Sequence, residues 1–222
     1  MEKLARALLL ISVPILLVAT PLYLLVTPGY VRRAYARASF PPSTRLAPAE
    51  RQRLSDILVG YLRGSASLQE MAEARTDAGQ IAMLPEEVQH MVDVKQVMDG
   101  FFIAHAVALA LAVAATFLLL RRWPMQWALA LRYGIWATGA LIAVVAVAAI
   151  ADFDLFFTLF HRIFFQEGTW TFHYEDTLIQ LYPLPFWTRA VADVSLSIAG
   201  LAALLYGASR WVEGRVLRRG AE

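Results

Sequence analysis

Two of the four histidines occupy matching positions beside two apolar segments of the sequence. His90 lies ten residues before Gly100, where one apolar segment begins, and His161 lies ten residues after Ala151, where the next one ends. An imidazole takes up and releases a proton near neutral pH, so a pair of histidines is suited to acid–base catalysis. Whether the two side chains meet depends on the elements that carry them.

A carboxylate accompanies the first histidine. Asp93 follows His90 by three residues, and residues three apart share a face of a helix. A carboxylate in that place can fix the tautomer of an imidazole and raise its basicity. The alternative is that Asp93 only solvates the beginning of a helix.

Other reactive groups are poorly represented in the chain. There is no cysteine, which excludes disulfides, thiolate nucleophiles and thiolate metal sites. No GxSxG elbow and no glycine-rich phosphate loop is present. A zinc site would need Glu167, Glu175 or Asp176 beside the histidines, and no HExxH spacing supports one. We therefore expect no metal and no cofactor, but acid–base catalysis on a substrate that carries its own nucleophile.

The elements that carry these residues are predicted to cross a membrane. The chain is 59% hydrophobic, whereas soluble domains are usually about 45–50% apolar. Four segments approach the roughly 20 residues that a spanning helix needs, and they cover about 7–27, 101–120, 133–151 and 190–209. The first is too long for the apolar part of a signal peptide, although ARAS at 36–39 resembles a cleavage site. We predict an all-α membrane protein with four transmembrane helices.

The charge distribution predicts the orientation of these helices. The N-terminus, the 121–132 segment and the tail together hold nine basic and three acidic residues, whereas 28–99 holds nine of each. Basic residues accumulate on the cytoplasmic side, so both termini are predicted to be cytoplasmic. The segments 28–99 and 152–189 then form an extracytoplasmic cap. The basic residues therefore lie at a membrane face, and nothing indicates binding to nucleic acid.

This topology places both histidines on the outer side. The second span runs inward and the third runs back, so His90 and His161 emerge together. If the helices continue beyond the apolar segments, ten residues correspond to about 15 Å. The aromatic run that precedes His161 favours the interface, and we expect both histidines near the outer headgroup level.

The cap shows several local signals. A helix is predicted from Pro48 to Gly64, and another begins at Pro85 and continues into the second span. One or two short strands remain open within the cap, and the rest of 28–84 has no clear pattern. His105 is expected to form an interhelical hydrogen bond, and His173 to be solvated. The chain 1–222 is predicted to be a single integral membrane domain.

Two longer motifs resemble a known family. EEVQHMVDVK at 86–95 and DFDLFFTLFHRIFFQEGTWTFHYEDTLIQLYPLPFW at 152–187 together resemble the lipoprotein intramolecular transacylases, a group of small bacterial integral membrane proteins. The resemblance extends more loosely over about 54–187, while the first span and the tail are generic.

This resemblance implies an O-to-N acyl shift in the bacterial cytoplasmic membrane. Members move the sn-2 acyl chain of a diacylglyceryl-lipoprotein to the α-amine of its N-terminal cysteine, which gives a lyso-form lipoprotein. The family's two functional histidines match His90 and His161, and the acid of its first motif matches Asp93. We expect His90, oriented by Asp93, to be the principal base, and His161 to polarise the ester or protonate the leaving oxygen.

Three further side chains are expected to shape the pocket rather than to react: Trp170, Tyr174 and Asp176. The implied partners are diacylated lipoproteins and membrane lipid, and the oligomeric state is not indicated. Two alternatives remain open. One is a non-catalytic transporter or lipoprotein-binding protein, although the spans hold few of the polar groups that transporters place near mid-membrane. The other is a metal-dependent membrane hydrolase.

Overall fold

The computed structural model describes residues 1–219, where the chain forms nine helices and no strand. Residues 220–222 lie outside the described residues, including Glu222, which was counted among the acids of the tail, and the end of the predicted domain 1–222. The helices are α1 Glu2–Leu25, α2 Pro28–Tyr35, α3 Pro48–Arg63, α4 Leu68–Ala72, α5 Pro85–Arg122, α6 Pro124–Ala151, α7 Phe153–Phe164, α8 Thr177–Leu181 and α9 Leu184–Arg219. In place of the cap strands that were left open, there is one isolated antiparallel bridge between Arg75 and Ile81.

Four helices, α1, α5, α6 and α9, are long and apolar enough to cross a membrane. The protein is thus an all-α, multi-pass membrane protein, as predicted. Three of these helices extend well beyond the predicted spans, and α5 alone has 38 residues. Hydropathy marks only the part of a helix suited to lipid, whereas backbone hydrogen bonding continues into polar sequence. For this reason the predicted 121–132 loop is mostly helical, with only Trp123 between α5 and α6.

Proline marks the beginning of several helices. Four of the nine begin at a proline, namely Pro28, Pro48, Pro85 and Pro124. Proline is favoured in the first turn because its fixed φ suits a helix and because the N–H that it lacks would have no partner there. The predicted starts at Pro48 and Pro85 are confirmed, and α3 ends before Gly64, whose φ of 77° is the left-handed conformation that glycine adopts most easily.

The described chain divides into two compact units. One contains Met1–Leu22, Phe101–Ala148 and the chain from Asp193 onward, and the other contains Tyr23–Gly100 and Ala149–Ala192. The second unit takes in both segments that were predicted to form the cap, 28–99 and 152–189. We refer to it as the cap unit.

The first unit packs α1, α5, α6 and α9 through small and aliphatic side chains. A Cβ atom on Gly134 of α6 would lie 2.7 Å from the Cβ of Val13 on α1, so this approach depends on glycine. Thr20 and Nε2 of His105 are 3.1 Å apart in a hydrogen bond between α1 and α5, which confirms the interhelical bond expected for His105.

The cap unit has its own core around α3. Leu54 and Leu58 are completely buried, and they pack with Met71 of α4, Met91 of α5 and Leu181 of α8. The cap unit therefore brings the beginning of α5 together with elements that come from both predicted cap segments.

The third span does not continue as one helix to His161. Asp152 has extended backbone angles, with φ −157° and ψ 100°, and its carboxylate accepts a hydrogen bond of 2.9 Å from the N–H of Leu155. An aspartate in this role caps a new helix, and here it separates α6 from α7. The extrapolation of a continuous helix over ten residues is therefore wrong for His161, which lies on α7.

Candidate active site

The structure brings the two predicted histidines together within the cap unit. His90 lies on the second turn of α5 and His161 near the end of α7, and each is only 9% exposed. Their ring centroids are 6.3 Å apart, with the ring planes inclined by 23°. Two nearly parallel imidazoles at this distance can both contact one small reacting group.

The tautomer of His161 follows from its hydrogen bond. Nδ1 of His161 lies 2.8 Å from the carbonyl oxygen of Phe157, one turn earlier on α7. Because a carbonyl oxygen only accepts, Nδ1 carries the hydrogen, and Nε2 of the neutral ring is left with a free lone pair. The ring of Phe157 also packs against the imidazole, with 3.9 Å between centroids. His161 is thus held in the form that accepts a proton through Nε2.

His90 is held differently. Its Nδ1 atom is buried and has no hydrogen-bond partner among residues 1–219. Its ring lies against Phe165 and Phe172, at centroid distances of 5.0 and 5.4 Å. A buried polar atom without a partner costs about 1–3 kcal/mol, and such atoms are few in native proteins.

Asp93 does not form the hydrogen bond with His90 that the sequence suggested. Its Oδ1 atom accepts a bond of 3.0 Å from the side-chain amide of Gln89, which lies one turn earlier on α5. Asp93 still raises the pKa of His90 through its charge, but burial and the nearby His161 act in the opposite direction and are stronger.

Aromatic rings enclose the histidine pair. Trp170 lies 4.8 Å from His161 between centroids, and Phe165 lies 5.6 Å from it while also contacting His90. Nε1 of Trp170 is buried and has no partner in the described chain, so a second unused hydrogen-bonding atom lies in this cluster. This position agrees with a role for Trp170 in shaping a pocket, which stays a prediction.

Tyr174 and Asp176 lie in the same connecting segment but bond elsewhere. Asp176 accepts a hydrogen bond of 2.6 Å from the N–H of His173, and the carbonyl of Tyr174 accepts one of 2.6 Å from Gln180. Their hydrogen bonds within the described residues do not include His90 or His161. The carboxylate of Asp176 and the backbone carbonyl of Tyr174 thus bond within the segment before α8, and the supporting role of both residues stays a prediction. His173 is exposed, as expected.

Burial keeps both catalytic candidates neutral. It lowers the pKa of His90 from 6.5 to about 4, with a further contribution from His161. Burial also lowers the pKa of His161, and the carbonyl of Phe157 partly offsets that effect. At neutral pH both rings are uncharged, which is the form that a proton acceptor needs.

We predict that His90 makes the folded state sensitive to acid. Its folded pKa of about 4 is below the unfolded value of 6.5, so the unfolded chain binds more protons between these values. Stability should fall by up to about 3 kcal/mol as pH drops from 6.5 to 4, and it should not change on this account at higher pH. Thermal unfolding in detergent across this range should show a shallower loss for His90→Gln than for the unaltered protein, and equal slopes would contradict the assignment.

A buried glutamate that was not identified from the sequence connects two elements of the cap unit near this site. Glu87 is 0% exposed and lies one turn before His90. Its two oxygens accept hydrogen bonds from the N–H of Leu84, at 2.8 Å, and from the N–H of Leu178, at 2.6 Å. The hydroxyl of Thr177, the residue before Leu178, donates a hydrogen bond to the carbonyl oxygen of Ala82. Acidic residues at 86 and 87 signal a helix start, but only the structure shows that Glu87 links α5 to α8.

Glu87→Ala is expected to destabilise the protein by about 2–4 kcal/mol, because it leaves the buried N–H of Leu178 without a partner. Glu86→Ala, at the exposed neighbouring position, is the matched control and should change stability by no more than about 0.5 kcal/mol. Unfolding in detergent, monitored by circular dichroism, would measure both. Equal stability of the two variants would show that Glu87 does not hold the cap unit.

Within residues 1–219, no group of three or more His, Cys, Asp or Glu side chains is placed to hold a metal ion. The two histidines are therefore not joined by a carboxylate as a third ligand, and zinc sites ordinarily use three or four protein ligands.

Known proteins resemble this one over nearly its whole length. A family model for the lipoprotein intramolecular transacylase Lit matches residues 7–187. An uncharacterized protein of Aquifex aeolicus (strain VF5) is 28% identical over 211 residues, which is 93% of this chain and 94% of that protein.

Solved structures share the fold. The membrane-integral lipoprotein intramolecular transacylase of Bacillus cereus aligns with a TM-score of 0.69 and 19% identity, over 98% of each chain. A variant of it with one histidine replaced by alanine aligns with a TM-score of 0.73 and 21% identity, over 98% of this chain and 96% of that one.

Fold and site together define a helical multi-pass membrane protein whose cap unit encloses a pair of neutral histidines. The family match covers most of the chain. The protein belongs to the lipoprotein intramolecular transacylase family, in agreement with the resemblance of its histidine motifs.

Proposed function

We propose that this protein catalyses an intramolecular O-to-N acyl shift on bacterial lipoproteins. The substrate is a diacylglyceryl-lipoprotein with a free α-amine on its N-terminal cysteine. The sn-2 acyl chain moves from its glycerol ester to that amine, and the product is a lyso-form lipoprotein. The observation that carries this proposal is the pair of buried, neutral histidines, one of them held in the tautomer that accepts a proton. The family assignment supports the class of substrate.

The reaction needs no nucleophile from the protein. The nitrogen of the substrate amine attacks the carbonyl carbon of the ester, and the new C–N bond forms as the carbonyl oxygen becomes negative. Nε2 of His161 takes the proton that the nitrogen loses. The C–O bond to glycerol then breaks, and the departing oxygen receives that proton. One ester is exchanged for one amide, so no water, metal or cofactor is consumed.

The environments of the two histidines support different roles for them. Because burial lowers the pKa of His90, its ring is neutral at pH 7 and carries one N–H, which can donate a hydrogen bond. We assign to it the stabilisation of the negative oxygen of the tetrahedral intermediate. We thus assign the role of base to His161 rather than to His90, the base expected from the sequence, and the bond to Phe157 supports this choice. Protonation of the leaving oxygen stays with His161, as expected.

We further propose that the protein acts as one integral domain in the bacterial cytoplasmic membrane, with both termini inside and the cap unit outside. The positive-inside distribution of charge supports this orientation. A membrane-impermeant maleimide should label intact cells at Glu70→Cys, on the exposed surface of α4, and not at Arg215→Cys in the tail. The chain has no cysteine of its own to interfere. The reverse pattern of labelling would refute the orientation.

The function is tested on the product. The protein is expressed in a bacterium that makes diacylated lipoproteins, and the N-terminal lipopeptide of one lipoprotein is sequenced by tandem mass spectrometry. We expect the acyl chain on nitrogen, a monoacylated glycerol and no change in total mass. Unchanged connectivity in the presence of folded protein would overturn the proposal.

Treatment with a chelator distinguishes the proposed transacylase from a metal-dependent hydrolase. Purified protein in vesicles with a synthetic diacylated lipopeptide should keep its full rate after treatment with EDTA. A loss that Zn²⁺ restores would instead support a metal-dependent enzyme.

A further inference from the structure

Helix α7 presents an apolar surface on the side opposite the active site. Of its 12 residues only His161 is buried. Leu155, Leu159 and Ile163 are 54%, 51% and 75% exposed, and because they are spaced four apart they form one row along the helix. We call these three residues the α7 stripe.

The stripe and the catalytic residue face in different directions. At about 100° per residue, Leu159 and Ile163 each lie roughly 160° around the helix from His161. Asp154 lies near the angular position of His161, whereas Arg162 lies about 100° from it, at the edge of the stripe. Arg162 forms an ion pair of 2.9 Å with Glu167 there. The helix is therefore strongly amphipathic, with the catalytic histidine on its inner side.

Three large exposed side chains in a row are unusual on a surface that faces water. Apolar surface costs about 25 cal/mol per Å² when it is left in water, and contiguous apolar patches usually mark a partner or a membrane. The position of α7 in the chain identifies the membrane. Only Asp152 separates α7 from α6, a helix long and apolar enough to span a bilayer. The first residue of α7 is thus within about 7 Å of the end of that helix.

We propose that α7 lies in the plane of the membrane interface, with the α7 stripe in contact with lipid acyl chains. Amphipathic helices of this kind bury their apolar face about 5–10 Å into the boundary between headgroups and acyl chains. The cap of Asp152 on the N–H of Leu155 suits this arrangement, because it satisfies a backbone group at the point where the chain turns away from the span. The inference concerns a surface beyond the proposed acyl shift and does not depend on it.

The absence of cysteine allows a direct test by spin labelling. Leu159→Cys and Ile163→Cys are each modified with a nitroxide in the full-length protein, which is reconstituted in phosphatidylcholine vesicles. Leu68→Cys is the matched control, since Leu68 is 46% exposed in the same unit but belongs to α4 rather than to α7. Collision rates with oxygen, which concentrates in lipid, and with a water-soluble nickel chelate are measured for each label by power saturation.

Lipid contact predicts a higher ratio of oxygen to nickel collisions at 159 and 163 than at 68. Free access of the nickel chelate to both stripe positions would overturn the proposal, because it places the stripe in water. Low collision rates with both reagents, together with dipolar broadening between labels, would also overturn it, because a second copy of the chain would then cover the stripe. The readout uses no substrate, so it is independent of whether the protein transfers acyl chains.

Discussion

His161→Ala is expected to lower the rate of acyl transfer by about 10²–10⁴-fold, the range over which a positioned proton acceptor contributes to catalysis. Of the two imidazoles in the described site, only that of His161 has its tautomer fixed by a hydrogen bond, which joins Nδ1 to the carbonyl oxygen of Phe157. The measurement is the rate at which N-acylated lipopeptide appears in vesicles, with circular dichroism as the check on folding.

The variant His161→Asn tests the role of Nε2 separately from the hydrogen bond that Nδ1 makes. The amide nitrogen of asparagine can replace Nδ1 in the bond to Phe157, but nothing then occupies the place of Nε2. This variant should be folded and as inactive as His161→Ala. His173→Ala is the matched control, because His173 is an exposed histidine of the same unit, and its rate should be unchanged. Retention of more than about a third of the rate by His161→Asn would remove His161 as the base.

His90→Ala is expected to lower the rate by about 10²–10³-fold, the effect of removing one donor to a developing oxyanion. The prediction that separates the two roles concerns His90→Gln. The side-chain amide of glutamine can donate a hydrogen bond from near the position of the imidazole but cannot accept a proton at neutral pH.

His90→Gln should therefore recover at least tenfold over His90→Ala, or about 1.4 kcal/mol in the barrier. The two variants are compared at saturating substrate and at equal amounts of folded protein. If both are equally inactive, donation is not the function of His90, and the proton-accepting role expected from the sequence regains support.

The features of the fold that could be predicted are those that local sequence determines. Apolar length identified four spans, and proline with glycine identified the limits of α3. The break between α6 and α7 was missed, because one capping bond at Asp152 decides it and the apolar pattern continues on both sides. The start of α6 at Pro124, within the segment 121–132 that was predicted to be a loop, was also missed, since hydropathy does not show where a helix begins outside lipid.

The site could be predicted in part. Spacing and motif resemblance placed His90 and His161 together, and their rings are indeed 6.3 Å apart. What failed was the choice among local hydrogen-bond partners: Asp93 has His90 and Gln89 within a turn, and it bonds to Gln89. Glu87 could not be distinguished from its neighbour Glu86, because its burial depends on Leu178, which lies far along the chain.

The link made by Glu87 bears on the connecting segment 165–176, which carries Trp170 and Phe172. One end of this segment is fixed where the N–H of Phe165 bonds to the carbonyl of His161, at 2.8 Å, and the other where the N–H of Leu178 bonds to Glu87. A segment held at both ends loses much of its conformational freedom when the protein folds. The aromatic rings that this segment places beside the histidines are therefore preorganised, and the entropy of ordering them is not lost again each time a substrate binds.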